Sequence, residues 1–411
     1  MDEKIFDIIK KEEAKQKEYI NLIASENYVS EDVLKALGSV LTNKYAEGYS
    51  GRRYYSGCEY VDAIEDIAIK RARELFDVDY VNVQPYSGTQ ANMAVYFSLL
   101  SPGDKILSFD LSCGGHISHG SKVSFVGKIY NCIYYPLDKI TERIDMNTVL
   151  GIAKKEKPRL IICGASAYSR DFDYKHFREI ADECGAFLMA DIAHTAGIIA
   201  AGRLNNPFEY CHVVTATTQK TLRGPRGGLI LMKKDFENTQ GLRNKEGKIK
   251  LMSEVINSNI FPGIQGGPHM NTIAAKSICF KEAQSEDYKT YIDQVLKNAR
   301  KLAMLFQENG YHVVSGGTDN HMMLIDLQNK GITGDECQNI LEENKILVNK
   351  NLIPFDKRSA KVTSGIRIGT AAITSRGYKE EDCEELFTQI DRIIKKKGIK
   401  KHSPTSALFR Q

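Results

Sequence analysis

Thr215-Ala216-Thr217-Thr218-Gln219-Lys220-Thr221-Leu222-Arg223-Gly224-Pro225-Arg226-Gly227-Gly228 follows the apolar pair Val213-Val214. The stretch sets one lysine among hydroxyls, with Arg223, Arg226 and a run of glycines just behind it. A lysine held at a strand end, beside cationic neighbours and out of bulk water, can lose its proton and act as an amine nucleophile.

Outward from this stretch, short apolar runs recur at 80–83, 106–109, 160–163, 186–190, 213–215 and 229–232, with helical patterns between several of them, as at 61–75 and 176–184. This alternation predicts a largely parallel sheet with helices on both faces. In such sheets ligands bind beyond the carboxyl ends of the strands. The residues following the runs fit that rule. Run 80–83 leads to Ser87-Gly88-Thr89, 106–109 to Gly114-Gly115-His116, and 160–163 to Ser166. Run 186–190 leads to Asp191 and His194, and 213–215 to Lys220. A phosphate-type turn, two imidazoles, a carboxylate and a lysine therefore meet at one sheet edge. A lysine so placed is what a Schiff base with pyridoxal phosphate requires. Ser87-Gly88-Thr89 opens a helix, where free N–H groups and the helix dipole suit a phosphate.

The chain has 411 residues, 42% hydrophobic and 26% charged, which predicts a soluble globular protein of two domains. A net charge of +4 gives no reason to expect nucleic acid, and the run 395–401, rich in lysine, reads as a solvated tail. Nine cysteines lie singly with no CxxC pair, which predicts reduced thiols and a cytoplasmic location. No His/Cys cluster has zinc-ligand spacing, so no metal is expected. The N-terminus lacks signal- and transit-peptide patterns, and no run is apolar enough to span a bilayer. Residues 4–20 read as a charged helix with Ile5, Phe6, Ile8 and Ile9 on one side, and 45–57 as a long functional loop. Strands near 313–315, 322–326, 346–348 and 366–368 predict a second, α+β region. The division expected is an N-terminal arm over 1–50, a large cofactor-binding domain over 51–270 and a small C-terminal domain over 271–411.

Leu22-Ile23-Ala24-Ser25-Glu26-Asn27, Thr42-Asn43-Lys44-Tyr45-Ala46-Glu47-Gly48-Tyr49, Arg53-Tyr54-Tyr55, Asp191-Ile192-Ala193-His194, the lysine stretch and Thr363-Ser364-Gly365-Ile366-Arg367 occur in that order. Together they make the chain resemble the serine hydroxymethyltransferases from about residue 15 to about residue 395. The resemblance implies the aspartate-aminotransferase-like fold (fold type I), with a mostly parallel seven-stranded sheet and a smaller C-terminal α+β domain. It implies pyridoxal 5'-phosphate as cofactor, L-serine, glycine and tetrahydrofolate as substrates, and a homodimer with shared sites or a dimer of such dimers. Lys220 then carries the Schiff base and Asp191 faces the pyridine nitrogen. His116 stacks on the ring, while Ser166 and His194 bond around the ring oxygen and Thr217 lies among the cofactor residues. Gly266 and Gly267 of the neighbouring subunit complete the phosphate cup begun by Ser87, Gly88 and Thr89. Arg367 binds the substrate carboxylate, aided by Ser25 and Tyr45. Glu47, donated across the interface, is the acid/base, and Tyr54 and Tyr55 line the pocket beside it. Leu111, Gly115, Ile117 and Asn351 are implied substrate and folate contacts, and Arg226 lies near the cofactor lysine.

The chain departs from that pattern at several places. Gln219 stands where a histidine usually precedes the lysine; glutamine can hydrogen-bond but cannot shuttle a proton. Tyr86 and Cys113 each replace a common histidine, and Ala360-Lys361 replace a usual Pro-Phe pair. These changes keep two other classes open: a folate-independent aldolase or α-methylserine-type transferase, and a binding subunit without turnover. Retention of Lys220, Asp191, Arg367 and Glu47 speaks against the second.

Overall fold

Runs of valine, isoleucine and leucine build one seven-stranded sheet. In chain order the strands are β1 (Tyr80–Asn82), β2 (Lys105–Phe109), β3 (Asn131–Tyr135), β4 (Leu160–Gly164), β5 (Phe187–Asp191), β6 (Val213–Thr217) and β7 (Gly228–Met232). The computed structural model describes residues 2–401, with 397–401 as backbone alone. The spatial order is β1-β7-β6-β5-β4-β2-β3. β7 runs antiparallel to both neighbours, and the pairs from β6 to β3 are all parallel. This is the expected mostly parallel seven-stranded α/β architecture. β4, β6 and β7 are buried along their whole length, as strands covered on both faces must be. The register sets Gly164 opposite Asp191 and Asp191 opposite Thr215. Three adjacent strands thus end level, and their following loops share one edge.

β3 is absent from the expected strands. It lies at the sheet edge, is mostly half-exposed, and reads Asn-Cys-Ile-Tyr-Tyr, without the apolar contrast that marks the central strands. Helix α1 (Glu59–Phe76) packs along α3 (Met270–Ala283). Helix α2 (Gly88–Leu99) brings Ala91, Ala94 and Val95 into one core with Ile106, Ile162, Met189 and Ile230. Each fully buried aliphatic side chain contributes about 1.5–3 kcal/mol.

The chain divides into two compact units. One comprises Asn27–Ser166 and Asp171–Asp293 and holds the large sheet. The other comprises the described residues up to Glu26, the segment Ala167–Arg170, and the residues from Gln294 on. The positions 50 and 270 lie inside the first unit, because α3 packs on α1 and so stays with the large sheet. The second unit is an antiparallel sheet of β8 (His312–Val313), β9 (Met322–Asp326), β10 (Asn349–Asn351) and β11 (Gly365–Gly369), in the order β8-β9-β11-β10. Its core includes Leu22, Phe306, Ile325, Ile366, Ile368 and Phe387. The N-terminal residues join it through Ile20 and Asn21, which pair in parallel with Ile346 and Leu347. Ahead of them lies a helix, Glu3–Glu18, in which no residue is buried; Ile5, Phe6, Ile8 and Ile9 are about half exposed. Of the basic run at 395–401, Lys395 pairs with Asp391 at 2.7 Å, and the side chains from 397 on, like residues 402–411, lie outside the described residues.

The segment expected as a long loop, 45–57, contains a short hairpin instead. Gly48–Tyr49 pairs with Arg52–Arg53, and the turn passes through Gly51 at a φ of 70°, a conformation glycine adopts without cost. The hairpin is fixed from beneath. Arg53, with a side chain only 3% exposed, donates to the carbonyls of Ala46 (3.0 Å) and Gly48 (2.8 Å), pairs with Asp62 at 2.8 Å, and reaches the buried carboxylate of Glu65. Gln84 donates to Glu65 at 2.7 Å and to the Gly48 carbonyl at 2.9 Å. Without Glu65, Arg53 keeps Asp62 and the two carbonyls but loses one charged hydrogen bond. Glu65→Ala is therefore expected to lower the unfolding free energy by about 1.5–3 kcal/mol. Urea unfolding monitored by circular dichroism measures it, and a loss below about 1 kcal/mol would show that Arg53 does not depend on Glu65.

Candidate active site

The carboxylate that closes β5 is the centre of the site. Asp191 is nearly buried, and both of its oxygens are hydrogen-bonded. Oδ2 accepts from Asn92 Nδ2 at 2.8 Å and lies 2.8 Å from His119 Nε2; Oδ1 accepts from the Ala193 N–H at 3.0 Å. Burial alone would raise its pKa. The hydrogen bond and charge of His119, the charge of His116 and the bond from Asn92 outweigh that and hold the carboxyl well below the usual range. Asn92 is in turn fixed: its amide donates to Ser118 Oγ at 3.0 Å, and its Oδ1 accepts from Thr215 Oγ1 at 2.6 Å. The His116 ring lies 5.5 Å from that of His119, and its Nδ1 accepts from the Ser118 N–H at 3.1 Å. Glycines allow this crowding. A Cβ on Gly115 would stand 2.2 Å from the Phe109 carbonyl oxygen, and Gly114 has a φ of 118° while its carbonyl accepts from the Ser166 N–H at 2.8 Å. Leu111 and Ile117 flank His116 in sequence and are exposed.

The lysine stretch is tied to the Asp191 loop by hydroxyls. Thr217 Oγ1 donates to the Ala193 carbonyl at 3.1 Å, and Thr221 Oγ1 donates to the carbonyl of the buried His194 at 2.8 Å. Asn27 donates to the Lys220 carbonyl at 2.9 Å. The side chain of Gln219 turns back on its own loop, its Oε1 accepting from the Gly227 N–H at 3.4 Å. Arg226 is exposed. Ser87 caps α2 by accepting from the Gln90 N–H at 3.3 Å, so Gly88 and Thr89 are in its first turn. A Cβ on Gly88 would come 2.6 Å from Thr217 Cγ2. The phosphate turn and the lysine stretch are therefore in contact.

Under both lies Lys276, the one charge in an apolar length of α3. It is 1% exposed, and its Nζ donates to the carbonyls of Val83 (2.6 Å), Pro85 (3.1 Å) and Gly228 (2.9 Å). Those carbonyls precede the phosphate turn and end the lysine stretch. Burial, partly countered by Glu65 and Cys279, brings its pKa down to about 7.

Glu47, Tyr45, Tyr54, Tyr55, Gly266 and Gly267 gather separately within the same unit. A Cβ on Gly266 would lie 3.4 Å from Glu47 Oε1, and one on Gly267 would lie 3.1 Å from the Tyr45 ring. The Tyr45 and Tyr55 rings are 5.1 Å apart, and Tyr54 packs on Phe261 at 5.6 Å. Partial desolvation, with Glu47 and Tyr45 nearby, pushes the Tyr55 phenol up. In the other unit Arg367 sits in β11 opposite Asn349, whose Oδ1 accepts from its Nε at 3.0 Å, and burial lowers its pKa to about 10, which leaves it charged at neutral pH. Asn351 lies opposite Gly365 on the same pair of strands. Ser25 follows Ala24, which packs so closely on Gly369 that a Cβ there would stand 2.4 Å from Ala24 Cα. Lys361 is exposed in the turn before β11, and its carbonyl accepts from Lys350 at 2.7 Å.

The residues fit pyridoxal phosphate: a buried carboxylate kept ionised for a ring nitrogen, a helix start for a phosphate, glycines that leave room for a flat ring, and a lysine at the same edge. The sequence reading missed Asn27, Asn92, His119 and Lys276. Three of them left a signal: an asparagine inside an apolar helix, a second histidine three residues after the first, and a lone lysine among Ile273, Ala275, Cys279 and Phe280.

Lys276 yields a test. Its folded pKa lies below that of a free lysine, so the folded state binds fewer protons between about pH 7 and the unfolded value near 10.4. Its contribution to stability is therefore most unfavourable below pH 7 and improves as pH rises through that window. Lys276→Met should be less stable at pH 7 because three carbonyls each lose a charged donor, the Pro85 carbonyl keeping the Gly228 N–H. Its unfolding free energy should also rise less than that of the wild type between pH 7 and 9. An equal rise with pH in the two proteins, each measured by urea unfolding, would refute a depressed pKa.

Residues 1–390 match the family model described as serine hydroxymethyltransferase. A curated serine hydroxymethyltransferase from Chlorobium phaeovibrioides (strain DSM 265 / 1930) is 56% identical over 396 residues, covering 96% of this chain and 90% of that protein. With a match spanning nearly its whole length, this chain belongs to the serine hydroxymethyltransferase family.

Proposed function

We propose that the protein is a glycine hydroxymethyltransferase. It cleaves the Cα–Cβ bond of L-serine with pyridoxal phosphate and passes the one-carbon unit to tetrahydrofolate, giving glycine and 5,10-methylenetetrahydrofolate. The observation that carries the reading is the ionised, hydrogen-bonded Asp191 beside the Lys220 stretch, in a chain of this family.

When bound, the cofactor supplies an electron sink for breaking the carbon–carbon bond. Lys220 would hold its aldehyde carbon, and Asp191 would keep its ring nitrogen protonated. Ser87, Gly88 and Thr89 would take its phosphate, with Gly266 and Gly267 of the neighbouring copy. His116 would cover its face, and Ser166, His194 and Thr217 would border it. Arg367, with Ser25 and Tyr45, binds the amino-acid carboxylate through a two-pronged guanidinium contact and so orients the bond to be broken. Glu47 takes a proton from the serine hydroxyl and returns it as transfer is completed. Tyr54, Tyr55, Leu111, Gly115, Ile117 and Asn351 form the walls for substrate and folate. Gln219 keeps the lysine loop in shape through the Gly227 N–H, without a proton-shuttling role.

The gathering of Glu47, Tyr45, Tyr55, Gly266 and Gly267 in one chain supports a homodimer in which each copy lends this cluster to the other. All nine cysteines are free thiols, which supports a cytoplasmic location. Among the described residues no helix is long and apolar enough to cross a membrane.

The test is conversion of L-serine to glycine by the cofactor-loaded protein with and without tetrahydrofolate. Strong folate dependence is expected. Equal turnover without folate would assign a folate-independent aldolase and give Ala360-Lys361 a role in the change. Glu47→Gln should lower kcat about 10²–10⁴-fold with the cofactor still bound. Lys220→Ala should abolish the visible absorbance of lysine-bound cofactor, and an unchanged spectrum would overturn the assignment.

A further inference from the structure

Tyr86 joins two groups of residues that the proposed function sends to different subunits. Its main chain runs directly into Ser87 and the turn that opens α2. Its side chain points to the segment 265–269. The hydroxyl donates to the Gly267 carbonyl at 2.7 Å, and the ring lies 4.3 Å from that of His269 at an interplanar angle of 34°. Its N–H donates to Gln265 Oε1 at 3.0 Å, and Gln265 Nε2 donates to the Gln84 carbonyl at 3.0 Å. Residues 84–86 thus hold the glycine pair through both backbone and side chains.

Behind that pair stand Glu47 and Tyr45, with Glu47 Oε1 3.4 Å from a Cβ built on Gly266. Burial, with Tyr45 and Glu47 nearby, pushes the Tyr86 phenol up, so it remains a donor throughout the working pH range. A phenol extends further from its main chain than the imidazole common at this position, which gives it the reach to the Gly267 carbonyl. The bond has a single donor and a single acceptor, so it fixes the rotation of the Gly267 peptide. Pro268, which follows, restricts the same residue from the other side.

We propose that Tyr86 is a positioning residue for the phosphate end of the cofactor: through the Gly267 carbonyl it sets the Gly266-Gly267 strap lent to the neighbouring site, while its own main chain enters the phosphate turn of its own site. The proposal rests on the reading of this chain as a pyridoxal-phosphate enzyme with shared sites. One residue then shapes both phosphate cups of the dimer, one from each side.

A phosphate-specific role separates this from general structural support. Full-length wild type and Tyr86→Phe are titrated with pyridoxal phosphate and, separately, with pyridoxal, which lacks the phosphate, and the visible band of lysine-bound cofactor is followed. Tyr86→Phe should raise Kd for pyridoxal phosphate about fivefold, the loss of one hydrogen bond, and leave Kd for pyridoxal unchanged. Gln265→Leu, which cuts the strap's other tie, should shift the pair of constants in the same sense. Unchanged pyridoxal phosphate affinity in Tyr86→Phe, or equal weakening of both ligands, would overturn the role. Wild type that forms no lysine-bound cofactor with either ligand would instead refute the enzyme reading, and the Tyr86 role with it.

Discussion

A carboxylate buried at the end of a sheet strand is costly unless it is hydrogen-bonded. Asp191 meets that demand with Asn92 from α2, His119 from the loop after β2, and the Ala193 N–H from its own turn. Each of these partners then fixes something else. Asn92 holds Ser118 and Thr215, Ser118 holds His116, and the Ala193 carbonyl receives Thr217. One charge, satisfied in three directions, thereby aligns the helix that begins at the phosphate turn, the histidine loop and the strand that leads to the lysine. The geometry of the edge follows from the need to keep that carboxylate paired.

A second constraint acts from below. Lys276 gathers the carbonyls of Val83, Pro85 and Gly228 and holds the start of β7 and the segment after β1 together. Arg53 and Glu65 do the same for the hairpin that carries Glu47, with Gln84 bridging to the segment before Tyr86. The sheet is apolar, but its functional edge is assembled by buried charges, each facing carbonyls or a countercharge. Such networks specify one arrangement of the backbone where apolar packing alone would accept several.

Much of this was legible beforehand because the informative residues lie just after apolar runs. Five strand ends could be located from their apolar runs, and the residues expected to form the site follow them. β3 escaped because an edge strand half open to solvent needs no contrast between its faces. The hairpin at 48–53 escaped because its strands are two residues long and its order comes from Arg53, far from any periodic signal. His119, Asn92 and Lys276 escaped for a different reason. Each is a polar residue inside a pattern read as core, and only the fold reveals what it faces. The division of the chain depended likewise on contacts: α3 follows the glycine pair in sequence but packs on α1, and the first residues of the chain add a strand beside Ile346.

The contact between Gly227 and Lys276 has a consequence for how such a chain can change over generations. A Cβ at 227 would stand 2.3 Å from the lysine's Cε, so the room for the long side chain exists only because residue 227 has none. Neither position can drift alone. A larger residue at 227 must wait for a shorter one at 276, and a shorter one at 276 takes a donor away from three carbonyls. The two sites constrain each other, whereas position 219 meets its loop only through one long bond to the Gly227 N–H.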